Sequence, residues 1–176
     1  MKYIVLLSLV FLINACVPNR ISSYFKKHET TQVSSDVVIP KVYAVDESSY
    51  RFQTKQRDLW DSVITVLSEN YAFKKMNIKQ KRLTTNWDQF RYQDETYRNQ
   101  VTVMVTKLGR NISQVKVQNK TQKLQANSWV APRRTFLELA ETGRIINNVS
   151  FEVGAPKPKL PKTVHVAMKS VSTLNR

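Results

Sequence analysis

Glycine, histidine and cysteine are scarce in this chain of 176 residues, which has 3 Gly, 2 His and 1 Cys. Three glycines are too few for a Gly-rich phosphate-binding loop, and one Cys cannot form an internal disulfide. Two His and one Cys also leave little for a structural zinc site or a nucleophile–His triad. Both histidines, His28 and His165, lie in segments that we expect to be tails, where geometry is poorly fixed. We therefore expect no catalytic residue, no bound metal and no cofactor, and the chain is not predicted to be an enzyme.

The N-terminus has the three parts of a secretory signal peptide. Lys2 gives a positive start, residues 4–13 form a mostly apolar run, and Asn14-Ala15 precede Cys16. The apolar run is shorter than the ~20 residues that a membrane-spanning helix needs. We therefore predict a signal peptide over residues 1–15 rather than a transmembrane anchor.

The end of this segment, Ile13-Asn14-Ala15-Cys16, resembles the lipobox of bacterial lipoproteins, in which the Cys becomes the lipidated first residue after cleavage. Asn14 departs from the pattern, since a small or hydroxylated residue is more usual there. A lone thiol in an exported protein would be open to oxidation, whereas a lipidated Cys is not. The alternative is an ordinary secretory signal with an incidental Cys.

The lipoprotein resemblance also implies a location. Acyl chains on Cys16 would anchor the chain to a membrane without a transmembrane segment. In that family an Asp after the Cys favours retention at the inner membrane, and here the residue is Val17. The resemblance therefore implies a lipid-anchored protein of the cell outer membrane that faces the periplasm.

Composition divides the rest of the chain into a tether, a domain and a tail. Residues 16–40 are polar and lack sustained periodicity, which predicts a lipidated tether. Residues 41–153 are expected to fold as one domain. Residues 154–176 alternate Pro with Lys, which predicts a flexible basic tail. A short strand is possible near its end, where apolar residues alternate at Val164, Val166 and Met168.

The first helix of the domain is predicted over residues 55–69, with Thr54 as its N-cap. It carries one apolar stripe at helical spacing, formed by Trp60, Val63, Ile64, Leu67 and Tyr71. A second helix is predicted after Pro132. Gly143 could end it and leave residues 145–153 as a strand, or the helix could continue to about Asn147.

Alternating apolar residues predict strands in the rest of the domain. Valines at 101, 103 and 105 and at 115 and 117 flank the connection at Gly109, which indicates a hairpin. A further pair of strands is predicted around Met76–Ile78 and Leu83–Trp87, joined by a turn near Lys81. Half-polar strands belong to antiparallel sheets with one solvated face. The predicted class is therefore α+β, an antiparallel sheet packed on one or two helices, with flexible N- and C-terminal tails.

The segment from residue 88 to 100 mixes aromatic and charged residues without a steady period. One interpretation is a hairpin tip whose aromatic residues pack on the sheet. The other is a partner-binding loop, because aromatic residues and Arg are the types that anchor interfaces. The candidate partner-binding residues are Trp87, Phe90, Arg91, Tyr92, Tyr97 and Arg98.

Residues 59–63, 67–73, Ile78 and 83–87 suggest a Trp-bearing helix followed by a strand, a turn and a Thr-x-Trp-like segment. This pattern resembles the helix-grip domain of BamC-type lipoproteins, which are accessory parts of the outer-membrane β-barrel assembly machinery. The sequence departs from that pattern at Lys81-Arg82, where Gly is common. The resemblance implies a helix-grip-like two-layer sandwich.

The strongest charge signal is 28 Lys and Arg against 13 Asp and Glu, a net charge of +15. Such an excess usually indicates nucleic acid, but export argues against that partner. Anionic lipids, acidic cell-wall polymers and acidic protein faces remain, and so does a non-specific contribution of the charge to solubility and membrane attraction.

These observations lead to one expected function and two alternatives. We expect a non-catalytic accessory or scaffold component of an outer-membrane or secretion assembly, bound to the membrane by its lipid and to other envelope proteins. The first alternative is a binding module for an anionic cell-wall polymer or phospholipid surface. The second is an envelope hydrolase that uses the carboxylate pairs Asp58/Asp61 or Glu138/Glu141, although such pairs more simply decorate the polar face of a helix.

Overall fold

The structure is a computed structural model, and it describes residues 39–132 and 136–174. These residues form an eight-stranded antiparallel sheet and three helices. The predicted signal peptide, Cys16 and most of the predicted tether lie outside these residues. In the described residues no helix is long and apolar enough to cross a membrane. The predicted class, an α+β fold with an antiparallel sheet packed on helices, is confirmed.

The strands are β1 Val42–Ala44, β2 Ser49–Phe52, β3 Phe73–Asn77, β4 Arg82–Thr85, β5 Asp88–Tyr92, β6 Glu95–Lys107, β7 Ser113–Gln125 and β8 Ser128–Val130. The helices are α1 Gln56–Ser68, α2 Phe136–Glu152 and α3 Lys162–Leu174. The main path of the sheet runs β1-β2-β7-β6-β4-β3, while β5 pairs with β6 and β8 pairs with β7. The predicted hairpin is therefore the centre of the sheet, with β6 and β7 each 13 residues long.

Alternation along β6 and β7 explains where the core lies. Val101, Val103 and Val105 are buried on one face of β6, and Val115 and Val117 are buried on the same face of β7. The helices cover this face, which we call the helix face. The core cluster there also includes Tyr50, Phe52, Leu59, Trp60, Val63, Val66, Leu67, Leu83, Ile145, Ile146 and Val149.

Helix α1 confirms the predicted stripe, because Trp60, Val63 and Leu67 are buried. The predicted N-cap is wrong by one residue. Lys55 occupies the cap position in an extended conformation (φ −66°, ψ 147°) without a side-chain cap. The carbonyl of Thr54 instead accepts a hydrogen bond of 3.0 Å from Ser113 Oγ, which ties the start of the helix to β7.

The extent of helix α2 decides between the helix and the strand that were predicted for residues 145–153. Residues 145–153 continue the helix to Glu152, and Gly143 lies inside it. Gly143 instead lies where α3 packs on α2, since a Cβ at this position would meet Val164 Cγ1 at 2.8 Å and the side chain of Met168. The helix ends instead near Gly154, whose φ of +70° suits glycine.

The prediction of a flexible tail with a short strand over residues 154–176 is wrong, because Lys162–Leu174 form helix α3. Val164 and Ala167 are buried and Val171 is partly buried, which is the i, i+3, i+7 spacing of a helical stripe. The alternation that suggested a strand is misleading, because Val166 is 61% exposed. The three prolines precede the helix and therefore do not interrupt it.

Candidate binding surface

The face of the sheet opposite the helices, which we call the open face, is strongly basic. Directly paired residues of neighbouring strands lie on the same face. Because Val101, Val103 and Val105 are on the helix face, the residues between them and their partners are on the open face. This register places the following basic residues on the open face: Arg51, Lys75, Arg82, Arg91, Arg98, Lys116 and Lys120.

Acidic side chains are absent from this face within the described strands. Asp88 and Glu95, the acidic residues of those strands, pair with Asn99 and Tyr92 and so lie on the helix face. The remaining open-face positions of β6 and β7 are mostly Gln and Thr, which can donate and accept hydrogen bonds. The described strands therefore separate charge, with cations and no carboxylate among their open-face residues.

Arg98 lies between two indole rings on the open face. Its guanidinium carbon is 4.5 Å from the ring centroid of Trp87 and 4.4 Å from that of Trp129. Its Nε donates a hydrogen bond of 2.8 Å to Gln122 Oε1. A planar guanidinium stacks on aromatic rings and remains charged, so this arrangement holds one cation in a fixed orientation. We call Trp87, Arg98 and Trp129 the Trp–Arg–Trp sandwich.

A depression lies elsewhere on the open face. It has a volume of about 230 Å³ and is lined by Arg82, Thr102, Met104, Lys116 and Gln118. Met104 is 39% exposed and contributes apolar surface to the lining. No carboxylate belongs to this lining, so an anionic group placed there would meet cations and hydroxyl or amide groups.

The structure divides the six candidate residues between the two faces. Trp87, Arg91 and Arg98 are on the open face. Tyr92 and Tyr97 are 7% and 8% exposed and form a small cluster with Leu137, against which Phe90 packs. The centroids of the two tyrosine rings are 6.3 Å apart, at an edge-to-face angle of 70°. The six residues therefore do not form one surface.

The proposed partner-binding loop is in fact a tight hairpin. Gln93 and Asp94, between β5 and β6, have φ values of 49° and 59°, the left-handed pair that a two-residue hairpin turn needs. Tyr97 donates a hydrogen bond of 2.6 Å to Glu95 Oε2, and Lys123 pairs with the other oxygen. Lys123, and then Tyr97, hold the pKa of Glu95 below its ordinary value. The packing interpretation is confirmed for Tyr92 and Tyr97.

The carboxylates of α2 are engaged with neighbouring groups. Arg144 donates to both oxygens of Glu141, at 2.9 and 2.7 Å, and Tyr71 Oη donates to the same carboxylate. Burial, followed by Glu141, raises the pKa of Tyr71, while hydrogen bonds to Glu141 raise that of Arg144. Glu138 accepts a hydrogen bond of 2.9 Å from the backbone N–H of Thr121. These contacts join α2 to the sheet and to the loop that follows α1.

The other candidate pair of carboxylates lies on the surface of the protein. Asp58 and Asp61 are exposed on α1, and Asp61 lies 3.9 Å from Arg57. Within residues 39–132 and 136–174, no group of three His, Cys, Asp or Glu side chains could hold a metal ion.

Sequence reasoning missed Trp129, the second ring of the sandwich. It lies on β8, a strand of three residues that follows the turn at Ala126-Asn127. Both turn residues have positive φ, 44° and 64°. Asn favours that conformation but Ala does not, so only one of the two residues is of a type that usually indicates such a turn.

No protein-family model matches the chain, and no curated protein matches it. Among solved structures, it is similar to a DUF4468 family protein from Bacteroides ovatus, with 14% identity over 66% of this chain and 92% of that chain and a TM-score of 0.41. It is also similar to a conserved protein of unknown function from Enterococcus faecalis, with 8% identity over 78% of this chain and 92% of that chain and a TM-score of 0.35. These values assign neither a family nor a function, and the resemblance to BamC-type lipoproteins stays a hypothesis.

Proposed function

We propose that this chain is a non-catalytic envelope lipoprotein that binds an anionic partner on the open face of its sheet. It would be an accessory or scaffold component of an outer-membrane or secretion assembly, with an acidic face of another envelope protein as the partner. The observation that carries the proposal is the presence of Arg and Lys, without Asp or Glu, across the open face of the described strands. Such a surface attracts and orients an acidic partner.

Two contributions to binding follow from the geometry. Arg82 and Lys116 flank the depression beside Met104 and supply charge that depends on salt. The Trp–Arg–Trp sandwich supplies a cation whose position is already fixed, so less side-chain entropy is lost when it binds. The sandwich would therefore act as the anchor, and the lysines would mainly increase the rate of encounter.

The membrane part of the proposal rests on Cys16. A lipid at the N-terminus would tether the chain to the outer membrane on its periplasmic side. The test compares intact mass and membrane fractionation of the wild type with those of Cys16→Ala after expression in a bacterium. We expect a mature wild-type chain that starts at Cys16 and carries acyl mass, both lost in the variant. Soluble, unacylated wild-type protein would contradict the lipid anchor.

The surface is tested by matched charge reversals. Arg82→Glu, Lys116→Glu and Lys120→Glu together replace three of the seven open-face cations with carboxylates. Lys157→Glu, Lys159→Glu and Lys162→Glu make the same change in net charge outside the sheet. Each triple variant carries the same photo-crosslinker at Gln118, an exposed open-face position. We expect one stoichiometric envelope protein crosslinked in the wild type and in the second triple variant, and lost in the first. Equal loss in both would show that only net charge matters.

A second candidate function is binding to an anionic cell-wall polymer or phospholipid surface. It is favoured by the Gln and Thr residues between the cations, because amides and hydroxyls suit sugars and phosphates. Binding to isolated cell wall or to anionic vesicles should then fall steeply with salt. Capture of one protein that resists salt would favour the scaffold function instead.

A further inference from the structure

Strand β7 is paired along one edge but only partly along the other. On the first edge, β6 pairs with it from Ser113 to Lys123. On the second edge, β2 pairs with residues 113–116 and β8 pairs with residues 123–125. Residues 117–122 thus have no strand partner on the second edge among the described residues. This interval lies within the sheet rather than at its outer edges.

The backbone groups in this interval point outward in the regular alternation of an antiparallel strand. The N–H of Val117 donates to Ser48 O at 2.8 Å, and the N–H of Thr121 donates to Glu138 Oε1 at 2.9 Å. Both donors therefore face away from β6. Because the direction of the N–H alternates along a strand, the N–H and C=O of Asn119 face the same side. At Thr121, the Glu138 carboxylate takes the place of a strand carbonyl.

A groove follows this edge. Its volume is about 760 Å³, and it is lined by the β1–β2 loop at residues 46–48, by residues 116–120 of β7 and by Glu138, Leu139 and Thr142 of α2. This volume is in the range of pockets that hold small ligands. Asn119 Nδ2 donates to Glu138 O and to Thr142 Oγ1, at 2.9 and 2.7 Å. The strand and helix walls of the groove are therefore fixed relative to each other.

We propose that this part of the β7 edge accepts an extended segment of a partner protein as an added strand. Alternating outward N–H and C=O groups match an extended polypeptide backbone, and an edge without a strand partner is a template for such pairing. Because the N–H of Val117 already donates to Ser48 O, the added strand pairs with residues 118–122, which span about 14–17 Å at ~3.4 Å per residue, enough for four or five residues. Recognition is mainly through the main chain and tolerates many sequences. The inference does not rest on the charge of the open face, although Lys116 and Lys120 line both sites.

Glu138 acts as a removable cover in this proposal. A carbonyl of the added segment accepts from the Thr121 N–H and must displace the carboxylate oxygen. Glu138→Ala removes the competitor and is expected to bind a segment several-fold more tightly. Glu138→Gln keeps an acceptor oxygen and is expected to gain less. Asp61→Ala, an exposed position on α1, is the matched control and should leave binding unchanged.

The probe is a phage-displayed library of random octapeptides, selected on the purified protein. Selected peptides are synthesised and mapped by amide shifts at Asn119 and Thr121. Each is then made with N-methyl groups on one set of alternate amides or on the other. We expect one methylated form to lose about tenfold or more in affinity and the other to lose little, because only alternate N–H groups face β7. We also expect Glu138→Ala to bind more tightly.

Three results would overturn the added strand: no selected peptide maps to the groove, both methylated forms lose binding equally, or Glu138→Ala weakens binding. Shifts confined to the open face would place the peptides on the surface proposed above instead. The triple variant Arg51→Glu, Lys75→Glu, Arg82→Glu, which changes open-face residues that do not line the groove, separates the two proposals. It should abolish capture of an acidic partner while retaining at least part of the strand-type binding, since the backbone of β7 is unchanged.

Discussion

The two faces of the sheet are built from the same strands but have opposite properties. On β4, Leu83 is fully buried against the helices, while its neighbour Arg82 is exposed beside a depression on the other side. On β6, Val103 is buried and Met104 is 39% exposed. One face therefore stabilises the fold, and the other is available for binding. Substitutions on adjacent residues can change stability and binding separately.

The largest expected effect tests this separation within one strand. Leu83→Ala removes a fully buried side chain from the core and should lower the free energy of unfolding by about 2–5 kcal/mol. Arg82→Ala changes an exposed residue and should alter it by no more than about 0.5 kcal/mol. Urea denaturation measures both. A similar loss in the two variants would mean that the faces are not energetically distinct.

The next prediction concerns the layer of helices. Gly143→Val places side-chain carbon where α3 packs, with the Cβ 2.8 Å from Val164 Cγ1. Overpacking of this kind should cost about 1–3 kcal/mol. Gly109→Val is the control, since a Cβ there would lie 3.7 Å from Ile112 Cβ, an ordinary contact. Urea denaturation gives the stability, and amide exchange in α3 shows whether that helix detaches. Unchanged exchange in α3 would contradict the packing argument.

The helix pairing also shows where sequence reasoning succeeded and where it failed. The period of α1 was predictable because Trp60, Val63 and Leu67 recur at helical spacing over about two turns. In α3, Val164, Val166 and Met168 fit a period of two, while Val164, Ala167 and Val171 fit helical spacing. Only the packing of Val164 and Met168 against Gly143 decides between them, and that contact joins distant parts of the sequence.

The candidate surface was less predictable than the fold for the same reason. Trp87 and Arg98 were singled out by residue type, but their contact depends on the pairing of β4 and β5 with β6. Trp129 joins them only because β8 folds back on β7. Tyr92 and Tyr97 are also aromatic residues of the types that anchor interfaces, yet the strand register places them on the helix face. Composition indicated anchor residues, and strand register decided which face each one occupies.

A pH experiment on the helix face has a smaller expected effect. Burial, followed by the charges of Asp46 and Glu47, raises the pKa of Tyr50 from 10.0 to about 12. The folded state thus favours the neutral phenol. The resulting contribution to the free energy of unfolding is complete below pH 10 and is lost as the pH rises from 10 through 12. After allowance for solvent screening, the loss of stability at alkaline pH should be smaller by about 1 kcal/mol in Tyr50→Phe than in the wild type. Urea midpoints at pH 8 and pH 11 give the comparison, and parallel losses in the two proteins would refute it.

The smallest predicted change tests whether the open face contributes to stability at all. Arg98→Lys keeps the charge but loses the planar group that stacks between Trp87 and Trp129 and the hydrogen bond from Nε to Gln122. We expect a loss of about 0.5–1 kcal/mol in the free energy of unfolding, together with altered tryptophan fluorescence, because both rings lose their stacked neighbour. Arg91→Lys, at an exposed position on the same face, is the control and should change neither. If the two variants behave alike, the sandwich is not a pre-organised anchor, and the open face would attract partners through charge alone.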